Sequence, residues 1–345
     1  MADALLSPAV GATMWAGSIA AIGYSARKLK KNIDNKTIPL MGVFGAFIFA
    51  AMMINFTIPG TGSSGHLGGG MILAVILGPY AAFLVMDSVL TVQALFFADG
   101  GLLALGCNIW NLGIYPCFLT YPLIYKPIAG NGTSKRRIAI ASIVSVLIAL
   151  QLGAFSVVME TLLSGKSELP FGTFVLLMQP IHLAIGLVEG FVTAGIITYV
   201  KKARPEILQS SEASRPLDVG ISVKNVLVFF AILAGITGGT LSWFASTHPD
   251  GLEWSIEKVT GKGELAGQKQ GIAPIFKGIQ EKIAFLPGYN FKTGVKEESK
   301  DEKAAVWPRI EAGTSVAGIV GGGIVLGFLL IIGFGIRFLK GKQKG

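Results

Sequence analysis

Residues 135–162 read KRRIAIASIVSVLIALQLGAFSVVMETL: three cations, then a run from Ile138 to Leu162 in which Glu160 is the single ionisable side chain. A hydrocarbon core of about 30 Å is crossed by about 20 apolar helical residues, so this run is long enough to span a bilayer. Working outward, similar runs predict spans near 9–26, 37–57, 69–85, 87–104, 107–125, 138–162, 172–200, 222–244 and 312–337. The bulk numbers agree. The 345 residues are 52% hydrophobic and 14% charged, with a mean hydropathy of +0.62. Soluble domains carry roughly 25% charged residues, so this chain has too few charges to cover a water-facing surface. The expected fold is all-α and polytopic, with about nine transmembrane helices.

The cations test the topology. Arg27, Lys28, Lys30, Lys31 and Lys36 follow the first run, and Lys135, Arg136 and Arg137 precede the sixth. Lys201, Lys202 and Arg204 follow the seventh, and Arg337, Lys340, Lys342 and Lys344 end the chain. Nine crossings with the N-terminus outside place all four clusters in the cytoplasm, as the positive-inside rule requires. Merging 69–104 into one crossing would put the first two clusters on opposite faces, so a break between two spans is expected at Asp87. The net charge of +9 sits in these clusters rather than over one soluble face, which argues for a bilayer as partner and against nucleic acid.

Two modules are expected, 1–204 and 222–345, joined by a cytoplasmic linker at 205–221 that contains Ser210, Ser211 and Pro216. The second module reads as a two-span hairpin around a long extracellular loop, His248 to Ile310. Ten acidic and ten basic residues between Asp250 and Glu311 make that loop neutral and solvated, and its KEESKDEK run, Lys296–Lys303, reads as an exposed face. Gly186/Gly190, Gly318/Gly322 and Gly323/Gly327 are small-xxx-small pairs that allow helix backbones to approach closely. Cys107 and Cys117 lie in apolar context without a CxxC spacing and read as packing residues. No cleavable signal peptide is expected, because Met1 to Pro8 has no basic segment.

Chemistry has few carriers here. Of the three histidines, His66 lies in the glycine-rich segment Thr61-Gly62-Ser63-Ser64-Gly65-His66-Leu67-Gly68-Gly69-Gly70, between two spans. Irregular backbone at membrane depth is tolerated where it lines a cavity or is buried in protein, and imidazole is a common ligand for nickel, cobalt, copper and zinc. His182 precedes Glu189 by seven residues, two turns along one helix face. Intramembrane ionisable groups mark functional sites or fix helix packing, and both readings stand. Asp99, Asn108 and Asn111 form a third polar group that either orients a metal ligand or ties two helices together. His248 stands at a helix end before Pro249-Asp250-Gly251-Leu252-Glu253. Gly165-Lys166-Ser167 mimics the end of a P-loop, but Glu160 stands where the first glycine belongs. The chain therefore carries no visible ATPase, and no hydrolase motif supports an enzyme. A cation channel or carrier lined by Asp87, Asp99, Glu160 and Glu189, or an intramembrane enzyme built on His182 and Glu189, are the rival readings.

At these residues the sequence resembles the CbiM/NikM family, the substrate-binding components of energy-coupling factor (ECF) transporters for cobalt and nickel. The marks are Ala2-Asp3-Ala4-Leu5-Leu6-Ser7-Pro8, Gly65-His66-Leu67, Ala98-Asp99-Gly100-Gly101 through Leu105-Gly106-Cys107-Asn108 to Asn111, and His182 through Ile185-Gly186 to Glu189-Gly190. Pro249–Glu253 spells the PDGLE motif of the small NikN/CbiN-like partner, so the whole resembles a fused NikMN protein. The resemblance implies a seven-span metal-binding bundle plus a two-span PDGLE module, with nickel as transported substrate, or cobalt for cobalamin synthesis, and no cofactor of its own. It implies that metal is held by the extreme N-terminus, Met1 here, and by His66, with Ser64, Asp99, Asn108, Asn111, His182 and Glu189 as surrounding candidates. It further implies a membrane coupling subunit (NikQ/CbiQ-like), docking along Ala16 and Ala20, and a cytoplasmic ATPase (NikO/CbiO-like), in a prokaryotic cell membrane. Family members usually begin Met-His, whereas Met1 is followed here by Ala2 and Asp3; either an upstream Met-His precedes this start, the expectation with the other motifs intact, or the site differs.

Overall fold

A computed structural model describes residues 1–130, 134–166, 168–218, 220–263, 265, 271–292 and 307–341. Lys296–Lys303, Ser167, Lys342 and Lys344 lie outside the described residues. The chain is mostly helical. Helix α1 spans Pro8–Asn32 and α2 Thr37–Met52. A hairpin of β1, Phe56–Ile58, and β2, Ser63–Gly65, leads to α3, Gly70–Leu77, and α4, Pro79–Phe97. Then come α5, Leu105–Ile109, a π-helix over Trp110–Tyr125, and α6, Lys126–Ala129. The long pair α7, Lys135–Leu163, and α8, Phe171–Ala203, precedes α9, Pro205–Ala213, and α10, Lys224–Gly239. Two helices outside the apolar runs follow, α11, Gly251–Thr260, and α12, Ile272–Ile283, before α13, Ala312–Gly341. Among the described residues, α4, α7, α8 and α13 are long and apolar enough to cross a membrane, and α2 and α10 are shorter apolar helices.

Local chemistry sets several of these boundaries. Ser7 caps α1 by accepting from the Val10 N–H, with Pro8 in the first turn, a position where a missing N–H costs nothing. Ser134 caps α7 through the Arg137 N–H. The break expected at Asp87 falls instead at Gly78, whose φ of +80° favours glycine, with Pro79 starting α4. Asp87 lies inside α4. Helix α3 has 8 residues, about 12 Å at 1.5 Å per residue, so it descends only part of the way. Its Val75 carbonyl accepts from the Ser211 hydroxyl of α9 at 2.9 Å.

Within the expected linker, residues 205–213 form a helix docked on the bundle, with Ile207 and Ser211 buried. The solvated loop is corrected. The Gln280 side-chain amide of α12 donates to the carbonyls of Ala94 and Gly100 at 2.8 and 2.7 Å. Tyr289 stacks on Phe97 and donates to the Asp99 carboxylate at 2.5 Å. Burial, and then the Asp99 charge, hold the Tyr289 phenol well above its ordinary range. Charge balance along the chain offered no hint that one face of this loop is apolar and packs on protein.

The core centres on α2, whose Phe44, Phe47 and Phe49 are buried, wrapped by α4, α10 and α13. The glycine pairs divide. A Cβ at Gly318 would collide with the Gly238 carbonyl oxygen, and one at Gly190 would meet Ile143 Cα at 2.7 Å. These are close backbone approaches of α13 to α10 and of α8 to α7. Gly323 and Gly327 face nothing within 4 Å. Cys107 and Cys117 are buried and free.

Candidate functional site

At the end of the bundle that holds the β hairpin, a cavity of about 140 Å³ is lined by Met1, His66, Asn108, Asn111, His182 and Asp250, with apolar walls from Leu150, Met178 and Ile185. Four segments distant in sequence converge on it.

The N-terminal segment is pinned in place. Leu5 and Leu6 are buried, the Met1 carbonyl accepts from the Gly101 N–H at 3.2 Å, and Asn108 reaches the same oxygen at 3.5 Å. Asp3 accepts from the Ala104 N–H at 2.9 Å. Burial raises its carboxyl above the usual carboxylate range, and that N–H pulls the other way. A Cβ at Gly101 would overlap the Asp3 carboxylate. The Asp-Gly-Gly turn is thus glycine because the first residues of the chain lie on it.

The second segment is the histidine loop. Gly69 has φ +75°, and a Cβ at Gly65 would collide with the Ile185 side chain. The Glu189 carboxylate, 2% exposed, accepts from the Gly68 and Gly69 N–H groups at 2.6 and 2.9 Å. Charge-assisted bonds of this kind are strong where water is excluded. They fix the backbone that carries His66.

The two imidazoles are oriented alike. His66 Nδ1 faces the Leu67 carbonyl at 3.1 Å and His182 Nδ1 the Met178 carbonyl at 2.8 Å. A carbonyl only accepts, so each Nδ1 is a donor, and in the neutral imidazole the lone pair for a ligand then lies on Nε2. Asn111 donates to Glu160 at 3.0 Å. Among the described residues, no three His, Cys, Asp or Glu side chains form a metal-holding group. A metal here would draw on donors beyond those side-chain groups, beside imidazole.

The PDGLE segment is the fourth wall. The Ser64 N–H donates to the Pro249 carbonyl at 2.8 Å, and its hydroxyl donates to the His248 carbonyl at 2.8 Å. Ser64 and Asp250 form a parallel bridge, so the motif extends the hairpin. Asp250 then caps α11 by accepting from Leu252 and Glu253, and Glu253 closes the capping box on the Asp250 N–H. A Cβ at Gly251 would meet Ile181 at 2.6 Å and the His182 ring at 3.5 Å. Every residue of the motif thus has a structural role. Pro249 extends the hairpin, Asp250 and Glu253 cap, Gly251 allows close contact, and Leu252 packs beside Met1 and Met178.

Of the sequence candidates, His66, His182, Asn108, Asn111 and Met1 meet at the cavity. Glu189 lies beneath the loop, Ser64 serves the bridge, and Asp99 is exposed and serves the Tyr289 contact. Ala16 and Ala20 are exposed on α1. Asp3 and the presence of Asp250 at the cavity were not foreseen. An Asp before a buried Leu-Leu pair was the available signal for Asp3, and the PDGLE motif marked Asp250 without placing it at the cavity.

Comparison with known proteins follows the two modules. Residues 1–207 match the family model described as CbiM, cobalt uptake substrate-specific transmembrane region, and residues 224–338 match the PDGLE domain. A relative from Archaeoglobus fulgidus, provisionally described as a fused nickel transport protein NikMN, is 32% identical over 95% of this chain and 96% of its own length. The fused nickel transport protein NikMN of Rhodobacter capsulatus is 30% identical over 79% and 81%. The cobalt transport protein CbiM of Sorangium cellulosum is 29% identical over 51% and 79%. A crystal structure of a transition metal transporter superposes with a TM-score of 0.52 at 29% identity, covering 62% of this chain and 97% of that one.

Proposed function

From a chain that belongs to the CbiM family, cobalt uptake substrate-specific transmembrane region, with a PDGLE domain fused behind it, we propose the substrate-capturing component of an ECF-type ABC importer for nickel ions. It is a multi-pass membrane protein and a transport component rather than an enzyme. In this reading the chain crosses a prokaryotic cell membrane nine times, with the N-terminus outside and the C-terminus in the cytoplasm. The His66 cavity then opens outward and α9 lies on the cytoplasmic face.

The observation that carries the reading is the pair of imidazoles, His66 and His182, each holding its Nδ1 proton on a carbonyl and its Nε2 free beside the N-terminal segment. Nitrogen donors in a planar set suit Ni(II). The outer cavity captures the ion, and Asn108, Asn111 and Glu189 position the groups around it. Energy comes from cytoplasmic ATPase subunits of the NikO/CbiO type through a NikQ/CbiQ-like coupling subunit docked along Ala16 and Ala20. Cobalt uptake by the same route is the second reading, favoured by the family description and by the relatives named for cobalt.

Calorimetric titration of Ni(II) and Co(II) into the full chain, with and without an added Met-His start, tests the proposal. Expected is tight nickel binding that His66→Ala abolishes. Tighter cobalt than nickel binding selects the second reading. Failure of every version to bind either ion overturns both.

A further inference from the structure

Helix α12, Ile272–Ile283, carries two apolar faces. Successive residues turn about 100° around a helix axis, which puts Ala273, Phe276 and Gln280 on one side. That side faces protein. Ala273 and Gln280 are buried, and Phe276 packs on the cluster of Leu6, Leu103 and Cys107. Ile272, Ile275, Ile279 and Ile283 form a second stripe, about 90° around the helix from the first. They are 40, 61, 42 and 41% exposed. Lys277 and Glu281, both exposed, lie opposite that stripe. A surface helix normally turns its apolar stripe to the core. Four aligned isoleucines left bare by the protein mark a contact with something else.

The height of α12 narrows what that is. Gln280 donates to the Ala94 and Gly100 carbonyls. Ala94 stands within the last turn of α4, a helix long and apolar enough to cross a membrane. Phe276 shares its cluster with Val10 and Met14, in the first two turns of α1. Phe285, just past α12 and itself exposed, packs on Phe96 and Phe97 with ring centroids 5.7 and 5.8 Å apart. Asn290 then donates to Glu311 at 2.6 Å, directly before the first turn of α13, a second long apolar helix. Helix α12 therefore lies beside the ends of the spans, not above them. That is the level at which a bilayer passes from hydrocarbon to headgroups.

Direction follows from the three faces. One flank is taken by protein, and the isoleucines and the Lys277–Glu281 side point opposite ways from it. With the isoleucines toward water, Lys277 and Glu281 would turn toward hydrocarbon, where a charge without a partner is expensive. With the isoleucines toward acyl chains, both charges reach water. Lys282, also exposed, stands next to Ile275 on the helix surface. Its methylenes can lie along apolar surface while its ammonium rises to the phosphate level. An apolar side in the leaflet and a charged side in water is the pattern of a helix lying in the interface plane.

We propose that α12 is an interfacial helix whose isoleucine stripe, continued by Phe285, rests in the lipid leaflet on the side of the His66 cavity, the outer leaflet in the topology above. The partner is the acyl-chain region of the bilayer, with headgroup phosphate at Lys282. The inference rests on the multi-pass membrane setting and not on which ion is carried. The segment between α10 and α13 is then seated on the membrane through α12 rather than surrounded by solvent. Gln280 links that seat to the Gly100 carbonyl, next to the Gly101 N–H that holds the Met1 carbonyl.

The test uses the full chain in nanodiscs of phosphatidylcholine and phosphatidylglycerol. Ile275→Cys and Ile279→Cys sample the stripe, Lys277→Cys and Glu281→Cys the opposite side. Ile331→Cys, at a residue 72% exposed on α13, reports the bilayer itself. Each variant is labelled with a thiol-reactive fluorophore before reconstitution; Cys107 and Cys117 are buried, and the unsubstituted chain serves as the blank. A nitroxide carried on the lipid acyl chain should quench the two stripe labels roughly threefold or more above the two opposite labels, and iodide in the water should do the reverse. Iodide quenching at Ile275→Cys equal to that at Lys277→Cys overturns the proposal, because the stripe then faces water. Protection of both stripe labels from both quenchers also overturns it, because protein then covers the stripe, from this chain or another copy. Ile272→Cys and Ile283→Cys replace either stripe variant that aggregates, under the same criteria. If the lipid nitroxide fails to reach Ile331→Cys as well, the membrane setting itself has failed.

Discussion

The Ser64 backbone N–H donates to the Pro249 carbonyl oxygen at 2.8 Å, so the PDGLE motif of the second module continues the hairpin that carries the histidine loop of the first. The His66 cavity and the fused module are therefore one structural unit at this end of the bundle. Gly251 sits where a Cβ would strike Ile181 at 2.6 Å. Gly251→Val should lift the motif off α8 and weaken nickel retention on the order of tenfold, the range seen when groups supporting a metal site are lost. Stopped-flow release into a chelator measures it; an unchanged release rate would show that the motif does not close the cavity.

Glu189 serves two N–H donors, and glutamine offers one oxygen and an NH₂. In Glu189→Gln one of Gly68 and Gly69 must face a donor, leaving a buried N–H unpaired at about 1–3 kcal/mol. The expected outcome is a lower thermal midpoint and weaker nickel binding, with Glu189→Ala more severe. If Glu189→Ala melts and binds like wild type, the loop is held by something else.

His182 and His248 make a matched pair of opposite expectation. His182 presents Nε2 to the cavity, whereas His248 is exposed and contributes only its carbonyl to Ser64. His182→Phe should reduce nickel affinity about tenfold or more, while His248→Ala should bind as wild type. Equal effects from the two, read by calorimetry, would remove His182 from the site.

The glycines of α13 give a stability contrast. Gly318→Val forces a side chain into the Gly238 backbone and should cost about 1–3 kcal/mol, the usual range for overpacking. Gly323→Val meets nothing within 4 Å in this chain and should leave the melting temperature of the isolated protein unchanged. Differential scanning of the two proteins decides; a drop for Gly323→Val would mean that α13 packs differently.

Much of the site was legible because it is written in scarce residue types. With three histidines and few intramembrane charges, His182 and Glu189 stood out by burial cost and His66 by its glycine-rich loop. Their mutual geometry did not, since Asp99 looked equivalent to Asn108 and Asn111 along the chain. The turn at Gly100 and Gly101 sends Asp99 outward to Tyr289, while the two asparagines face the cavity. Asp87 misled for a related reason: a carboxyl in an apolar run looks like a boundary, but the backbone breaks where Gly78 permits a positive φ and Pro79 starts a helix.

By itself the sequence determined the membrane setting, the helical class and the two modules. These follow from hydrocarbon thickness, backbone hydrogen bonding and the placement of cations, which are properties of consecutive residues. Only the tertiary structure decided what the PDGLE segment touches, why α9 and α12 are docked helices rather than loops, and which polar side chains meet at the cavity. Those depend on contacts between residues far apart in the chain, where the energy lies in matched surfaces and paired polar atoms that no local pattern encodes.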